Sequence, residues 1–249
     1  MNRFKRRLFC YLALRYPWCQ GLLPASTPLR VCYYEWAKAP TELMVFLPGI
    51  GDIPEDYGSR GFIEAIRQRG IPTAIAVVDA HYGYYAKRTV LERLREDIIA
   101  PAKARGFERV WLVGISLGGA GALLYAREHP RDIDGLVVLA PFLGHPPVIE
   151  EIRCVGGVCQ WQPGHIEEGD YARGLWQWLK RYSHPAPDLP LLYLGYGEHD
   201  SFASANRLLA EILPESHVFV TTGGHDWPTW KRLWEQFLSK HDKPSIQSG

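Results

Sequence analysis

The sequence carries almost no imbalance of charge: 28 Lys and Arg stand against 27 Asp and Glu, for a formal net charge of +1. With no global field to hold a polyanion, a nucleic-acid partner is not expected. Long apolar runs are missing as well. Behind the basic start MNRFKRR, the run LFCYLAL at 8–14 stops at Arg15. That is the lower limit of the about 7 to 15 residues of a signal core, and far below the roughly 20 needed to span a bilayer. Pro17 and Trp18 interrupt the segment before the small residues at Pro24-Ala25-Ser26. Residues 1–28 therefore allow three readings: a docked or frayed N-terminal helix of a cytoplasmic protein, which is favoured, a weak contact with a membrane surface, or a secretion signal.

Cysteine is sparse and odd in number, with five in 249 residues. Such a set suits a reduced interior and tilts the compartment toward the cytoplasm. Cys154 and Cys159, separated by VGGV, are the pair that a tight turn would bring within reach of a disulfide, and the sequence leaves that bridge open. With His165 they make no regular zinc spacing, so neither metal nor other cofactor is expected. Repeats, low-complexity tracts and long polar linkers are absent. At 47% hydrophobic and 22% charged residues, 1–249 reads as one domain. No feature speaks to an oligomeric state.

What is present is an alternation. Short apolar runs bounded by Gly and Pro predict strands: an extended stretch near 29–36, then 43–47, 73–79, 110–113, 136–139, 191–194 and 217–220. Between them, helical spacing covers 61–69, 86–105, 117–128, 202–213 and 227–238, with Pro101 predicting a kink or restart inside the second of these. Apolar strands separated by amphipathic helices give an α/β fold, doubly wound, with a mostly parallel central sheet and helices on both faces. The stretch 142–190, rich in Pro, Gly, Trp and His, is too long for an ordinary connection and reads as a lid or cap insertion. Trp161 is a candidate for its substrate-binding wall; Trp176 and Trp178 fit pocket or core equally, as do Tyr82, Tyr84 and Tyr85 after the 73–79 strand.

Chemistry enters at Gly114-Ile115-Ser116-Leu117-Gly118, a GxSxG placed between the strand VWLV and a helix opening LGGAGALLYA. A serine at that junction needs a tight strand-to-helix turn, and the two glycines remove the side chains that would collide there. The turn puts the Leu117 amide at a helix N-terminus, aimed where an oxyanion would develop.

This arrangement resembles the α/β-hydrolase family over about 43–238. The resemblance implies a serine esterase or lipase-like enzyme with Ser116 as nucleophile, and a glycine-bearing turn after an earlier strand, here Pro48-Gly49-Ile50-Gly51-Asp52. The amide of Ile50 would then join Leu117 in the oxyanion hole, with Gly49 and Gly51 letting the backbone approach substrate; the family's frequent histidine in this turn is absent. The acid falls in GYGEHD after the 191–194 strand, at Asp200, with Glu198 as runner-up and Asp200-Ser201 also readable as a helix cap. The base falls in the glycine-flanked loop after the last strand, at His225, in the family's order Ser, Asp, His. His81 and His199 lie near strand ends and are either substrate contacts or surface groups. The expected substrate is a small carboxylic ester or thioester. Amide, lactone or acyl-transfer chemistry would use the same residues, and a non-catalytic binding protein of the same fold is the rival of a different class.

Overall fold

The computed structural model describes residues 3–15, 25–35, 37–184 and 186–241. Seven strands make one sheet: β1 (Val31–Tyr34), β2 (Glu42–Leu47), β3 (Thr73–Val78), β4 (Arg109–Ile115), β5 (Gly135–Leu139), β6 (Leu191–Gly197) and β7 (Val218–Thr221). Their spatial order is β1-β3-β2-β4-β5-β6-β7. Every neighbouring pair is parallel except β1 with β3, which run antiparallel at one edge. The central strands are buried along nearly their whole length, which is why they read as unbroken apolar runs rather than as alternating ones.

Successive residues of each strand feed opposite faces. Leu43, Val45 and Leu47 of β2 enter one core, and Met44 and Phe46 enter the other. The second core is aromatic. It is covered by α2 (Glu55–Ser59), α3 (Phe62–Gln68) and the C-terminal helix Trp227–His241, with Tyr57, Phe62, Trp230 and Trp234 buried between them. The first core is covered by α4 (Tyr82–Ala86), α5 (Val90–Leu94), α6 (Ala100–Ala104), α7 (Leu117–Glu128), α8 (Pro146–Cys154), α9 (Tyr171–Leu179) and α10 (Ala203–Ala210). The C-terminal helix is α11.

The single stripe read over 86–105 is divided. α4 ends at Ala86, and between α5 and α6 the chain makes a π-turn at Arg95–Ile99. Pro101 offers no N–H to the carbonyl one turn back, and the wider turn just ahead of it absorbs the loss, giving the interruption that proline predicts.

Residues 142–190 are largely a packed layer. Ile149, Ile152, Leu175, Trp176 and Leu179 are buried in the first core. Trp161, expected to line the substrate pocket, is 1% exposed, and its indole N–H donates to Glu151 at 2.9 Å. A ring whose one polar atom finds a carboxylate beside it satisfies the condition for interior burial.

Within the N-terminal segment, residues 3–15 form a helix. In α1 (Arg3–Arg15), Arg6, Cys10 and Ala13 form a buried stripe at helical spacing, while Leu8 stays exposed. Pro17 and Trp18, invoked as interruptions, lie outside the described residues. No helix of the described residues is long and apolar enough to cross a membrane.

Candidate active site

Ser116 occupies the turn between β4 and α7 with φ 52° and ψ −116°. A non-glycine residue held there stores roughly 1–3 kcal/mol of backbone strain, which surrounding packing has to sustain. That packing leaves no room for side chains on either flank: a Cβ on Gly114 would lie 2.4 Å from the Gly118 carbonyl oxygen, and one on Gly118 would lie 2.1 Å from that of Leu47. Two backbone bonds fix the turn to the next strand. The Ser116 amide donates to the Leu139 carbonyl at 3.0 Å, and the Phe142 amide donates to the Ser116 carbonyl at 3.0 Å.

Asp200 and His225 arrive from the loops that follow β6 and β7. His225 Nε2 is 3.0 Å from Ser116 Oγ, and Nδ1 is 2.9 Å from Asp200 Oδ2 and 3.0 Å from Oδ1. A carboxylate only accepts, so Nδ1 carries the proton and Nε2 of the neutral ring is left to accept from the serine hydroxyl. The Asp200 side chain is fully buried, whereas that of His225 is 25% exposed, so of these two side chains the imidazole is the one that meets the opening. Asp200 also accepts from the Phe202 amide at 2.8 Å, but α10 begins at Ala203 with Phe202 as its N-cap and no side-chain cap bond, so the bond fixes the loop after β6 and the helix-cap reading of Asp200-Ser201 is corrected. Glu198 is exposed and offers its backbone carbonyl to Arg207, not its carboxylate to His225. The imidazole is held edge-on between Phe202, at 4.8 Å, and Trp230, at 4.9 Å.

On the other side of Ser116 lies the turn after β2. A Cβ on Gly49 would stand at ordinary contact distance from Ser116 Cβ, 3.6 Å, but 2.9 Å from Asp52 Oδ2, so a side chain here would displace the carboxylate at the end of its own turn. Leu117 is the first residue of α7, and its amide has no intrahelical acceptor. Gly49 and Ile50 line the same cavity as Ser116 and His225, about 550 Å³ in volume. Gly51, grouped with them in the sequence, is buried at φ 79° and shapes the turn instead of the cavity wall.

The rest of that wall was not read from the sequence. Besides Asp52 and Asp226, it comes from Trp227, Pro228 and Trp230 at the start of α11 and from Arg60, whose guanidinium lies over the Trp227 ring at 5.9 Å. The available signal was adjacency: Trp227 and Trp230 follow His225 by two and five residues, so a helix starting there turns both toward the imidazole. A larger opening of about 650 Å³ includes Leu191, Leu192 and His217, where β6 and β7 begin, and contains none of these site residues. A third, about 370 Å³, is lined by Phe142, His145 and Tyr171 of the insertion.

The remaining candidates have local roles. The His81 Nδ1 accepts from the Gly83 amide and caps α4; burial, then the nearby Arg6, pushes this imidazole below its ordinary pKa. His199 is exposed. Tyr84 is buried in the first core, and Tyr85 fills the space against Gly121. Cys154 and Cys159 are free thiols, so the open question of a bridge resolves against it. Among the described residues no group of three His, Cys, Asp or Glu is placed to hold a metal ion.

This sheet order, this turn and these loops make the chain an α/β-hydrolase in fold. Residues 91–183, which hold Ser116, match the family model described as serine aminopeptidase, S33. An acetyl esterase from Caldicellulosiruptor saccharolyticus is 21% identical over 172 residues, covering 62% of this chain; the chain spans 61% of the length of that curated relative. Among solved structures, a monoacylglycerol lipase from Paleococcus ferrophilus is 17% identical with a TM-score of 0.55, covering 87% of this chain and 98% of its own. An S-formylglutathione hydrolase from Staphylococcus aureus is 13% identical with a TM-score of 0.55, over 89% and 100% respectively.

Proposed function

We propose that this protein is a serine-dependent hydrolase of small carboxylic esters or thioesters that works through an acyl-enzyme. The observation that carries the proposal is the unbroken chain from Asp200 through His225 to Ser116, at 2.9 and 3.0 Å, ending on a hydroxyl beside an open cavity. Ser116 Oγ attacks the acyl carbon as its proton passes to His225 Nε2. The oxyanion so formed is received by the amides of Leu117 and Ile50. Asp200 fixes the tautomer and stabilises the imidazolium, which then protonates the departing alcohol or thiol. Water, deprotonated by the same imidazole, attacks the acyl-enzyme and returns the serine with release of the acid. Every step uses the chain's own groups.

The names of the relatives support an acyl substrate, and the ester reading agrees with the acetyl esterase and the lipase among them. The serine aminopeptidase model favours a second reading, amide cleavage by the same residues. One experiment addresses both: a series of p-nitrophenyl esters of increasing acyl length, run beside aminoacyl p-nitroanilides, on wild type and Ser116→Ala. Turnover of the esters is expected to exceed that of the anilides and to fall roughly 10⁴-fold in the variant. A loss below about tenfold at Ser116 would identify a different nucleophile.

A further inference from the structure

The N-terminal helix has no part in the chemistry described so far, yet it sends a charged side chain into the interior. Arg6 is 2% exposed. Its guanidinium pairs with both carboxylate oxygens of Asp79, the residue that follows β3, with Nη2 to Oδ2 at 2.8 Å. The same Nη1 also donates to the backbone carbonyl of Asp52 at 3.0 Å, across 46 residues of sequence. Asp52 ends the PGIGD turn, and its own amide closes that turn on the Gly49 carbonyl at 3.2 Å. Arg6 thus grips the loop that carries the Ile50 amide.

The grip is braced from behind. Arg30 donates to Asp79 Oδ2 at 3.1 Å and pairs with Glu55 at 2.5 and 3.1 Å. The loop's two ends are held separately, by the Tyr57 hydroxyl on the Leu47 carbonyl at 2.8 Å and by the Asp56 carboxylate on the Ile53 amide at 3.0 Å. Between those clamps, the Arg6 guanidinium bonds the loop at the Asp52 carbonyl. A planar fork that meets a carboxylate and a carbonyl together orients both, which a point charge cannot do.

We infer that α1 belongs to the catalytic apparatus: Arg6 is a positioning residue that sets the direction of the Ile50 amide through the Asp52 carbonyl. The inference rests on the reading of Ser116 as nucleophile and of the Ile50 amide as oxyanion donor. Misdirecting one donor weakens the transition state and leaves the ground state nearly untouched.

The test uses full-length Arg6→Met, which keeps the length of the stem, and Arg6→Lys, which keeps the charge without the fork. Both are assayed with p-nitrophenyl acetate and with an alkyl boronic acid that forms a tetrahedral adduct on serine. The expected result is kcat lower by about 10- to 100-fold in Arg6→Met, KM within about twofold, and boronate affinity falling in step with kcat. Arg6→Lys is expected to fall between it and wild type. If Arg6→Met does not fold, the Lys variant decides alone: a kcat loss of about fivefold or more at constant KM upholds the inference, and unchanged kcat overturns it. Losses that merely track the unfolded fraction in a thermal melt, or that fall on KM with boronate affinity unchanged, also overturn it. Failure of the underlying reading looks different, because wild type and Ser116→Ala would then turn over esters alike.

Discussion

On one flank of Ser116 stand His225 and Asp200, each in a loop directly after a sheet strand and each bonded to its neighbour by its own side chain. On the other flank stands the turn at 48–52, whose proposed working groups are backbone amides and whose Asp52 carbonyl is bonded by a side chain from elsewhere, Arg6. The proton-transfer flank is built from residue identity placed at strand ends. The oxyanion flank is built from backbone shape held by distant contacts. The first should therefore fail abruptly when one side chain is removed, and the second should degrade by degrees.

The largest expected effect breaks the first flank. His225→Ala should lower kcat on p-nitrophenyl acetate by roughly 10⁴-fold, and combining it with Ser116→Ala should add little, since the two act as a unit. Additive losses in the double variant would mean that the two groups do not cooperate.

The different natures of the two flanks also decide what the sequence disclosed. The contact of Ser116 with His225 and Asp200 was legible because the serine's turn demands Gly114 and Gly118, and because the order Ser, Asp, His that the resemblance implies points to the loops after the last two strands. The two-faced sheet was legible for a similar reason: strands buried on both sides must be apolar throughout. Arg6 was invisible. Nothing local in MNRFKRR marks out an arginine that will be buried against Asp79, because the partner lies 73 residues away and only the fold joins them. Trp161 failed in the opposite direction, for an aromatic in a Gly- and Pro-rich insertion looks like a pocket wall until Glu151 is found to satisfy its N–H.

A smaller effect probes the brace of the second flank. Burial pushes the Asp79 carboxyl up, but the guanidinium groups of Arg6 and Arg30 outweigh it and hold it below its ordinary value; Glu55 and His81 also lie within its field. A carboxyl whose folded pKa is lowered stabilises the fold fully above the ordinary carboxylate range, and the contribution is lost as pH falls through the folded value. Asp79→Asn should therefore melt below wild type near pH 7, with the gap narrowing toward about pH 3. A gap that stays constant over that range would show that the Asp79 charge is not what matters. The smallest effect lies outside both flanks. Trp161→Phe should lose about 1 kcal/mol of stability with its bond to Glu151 and leave ester turnover unchanged, and a selective fall in kcat/KM would return that ring to the substrate pocket.

The central claim is that the hydroxyl at 116 is the atom that takes up the acyl group. Intact-mass measurement after brief exposure to a fluorophosphonate, followed by peptide mapping, tests it most directly. The account predicts one adduct per chain, on Ser116, absent from Ser116→Ala and strongly slowed in His225→Ala. An adduct at another residue, or equal labelling of wild type and Ser116→Ala, would contradict it.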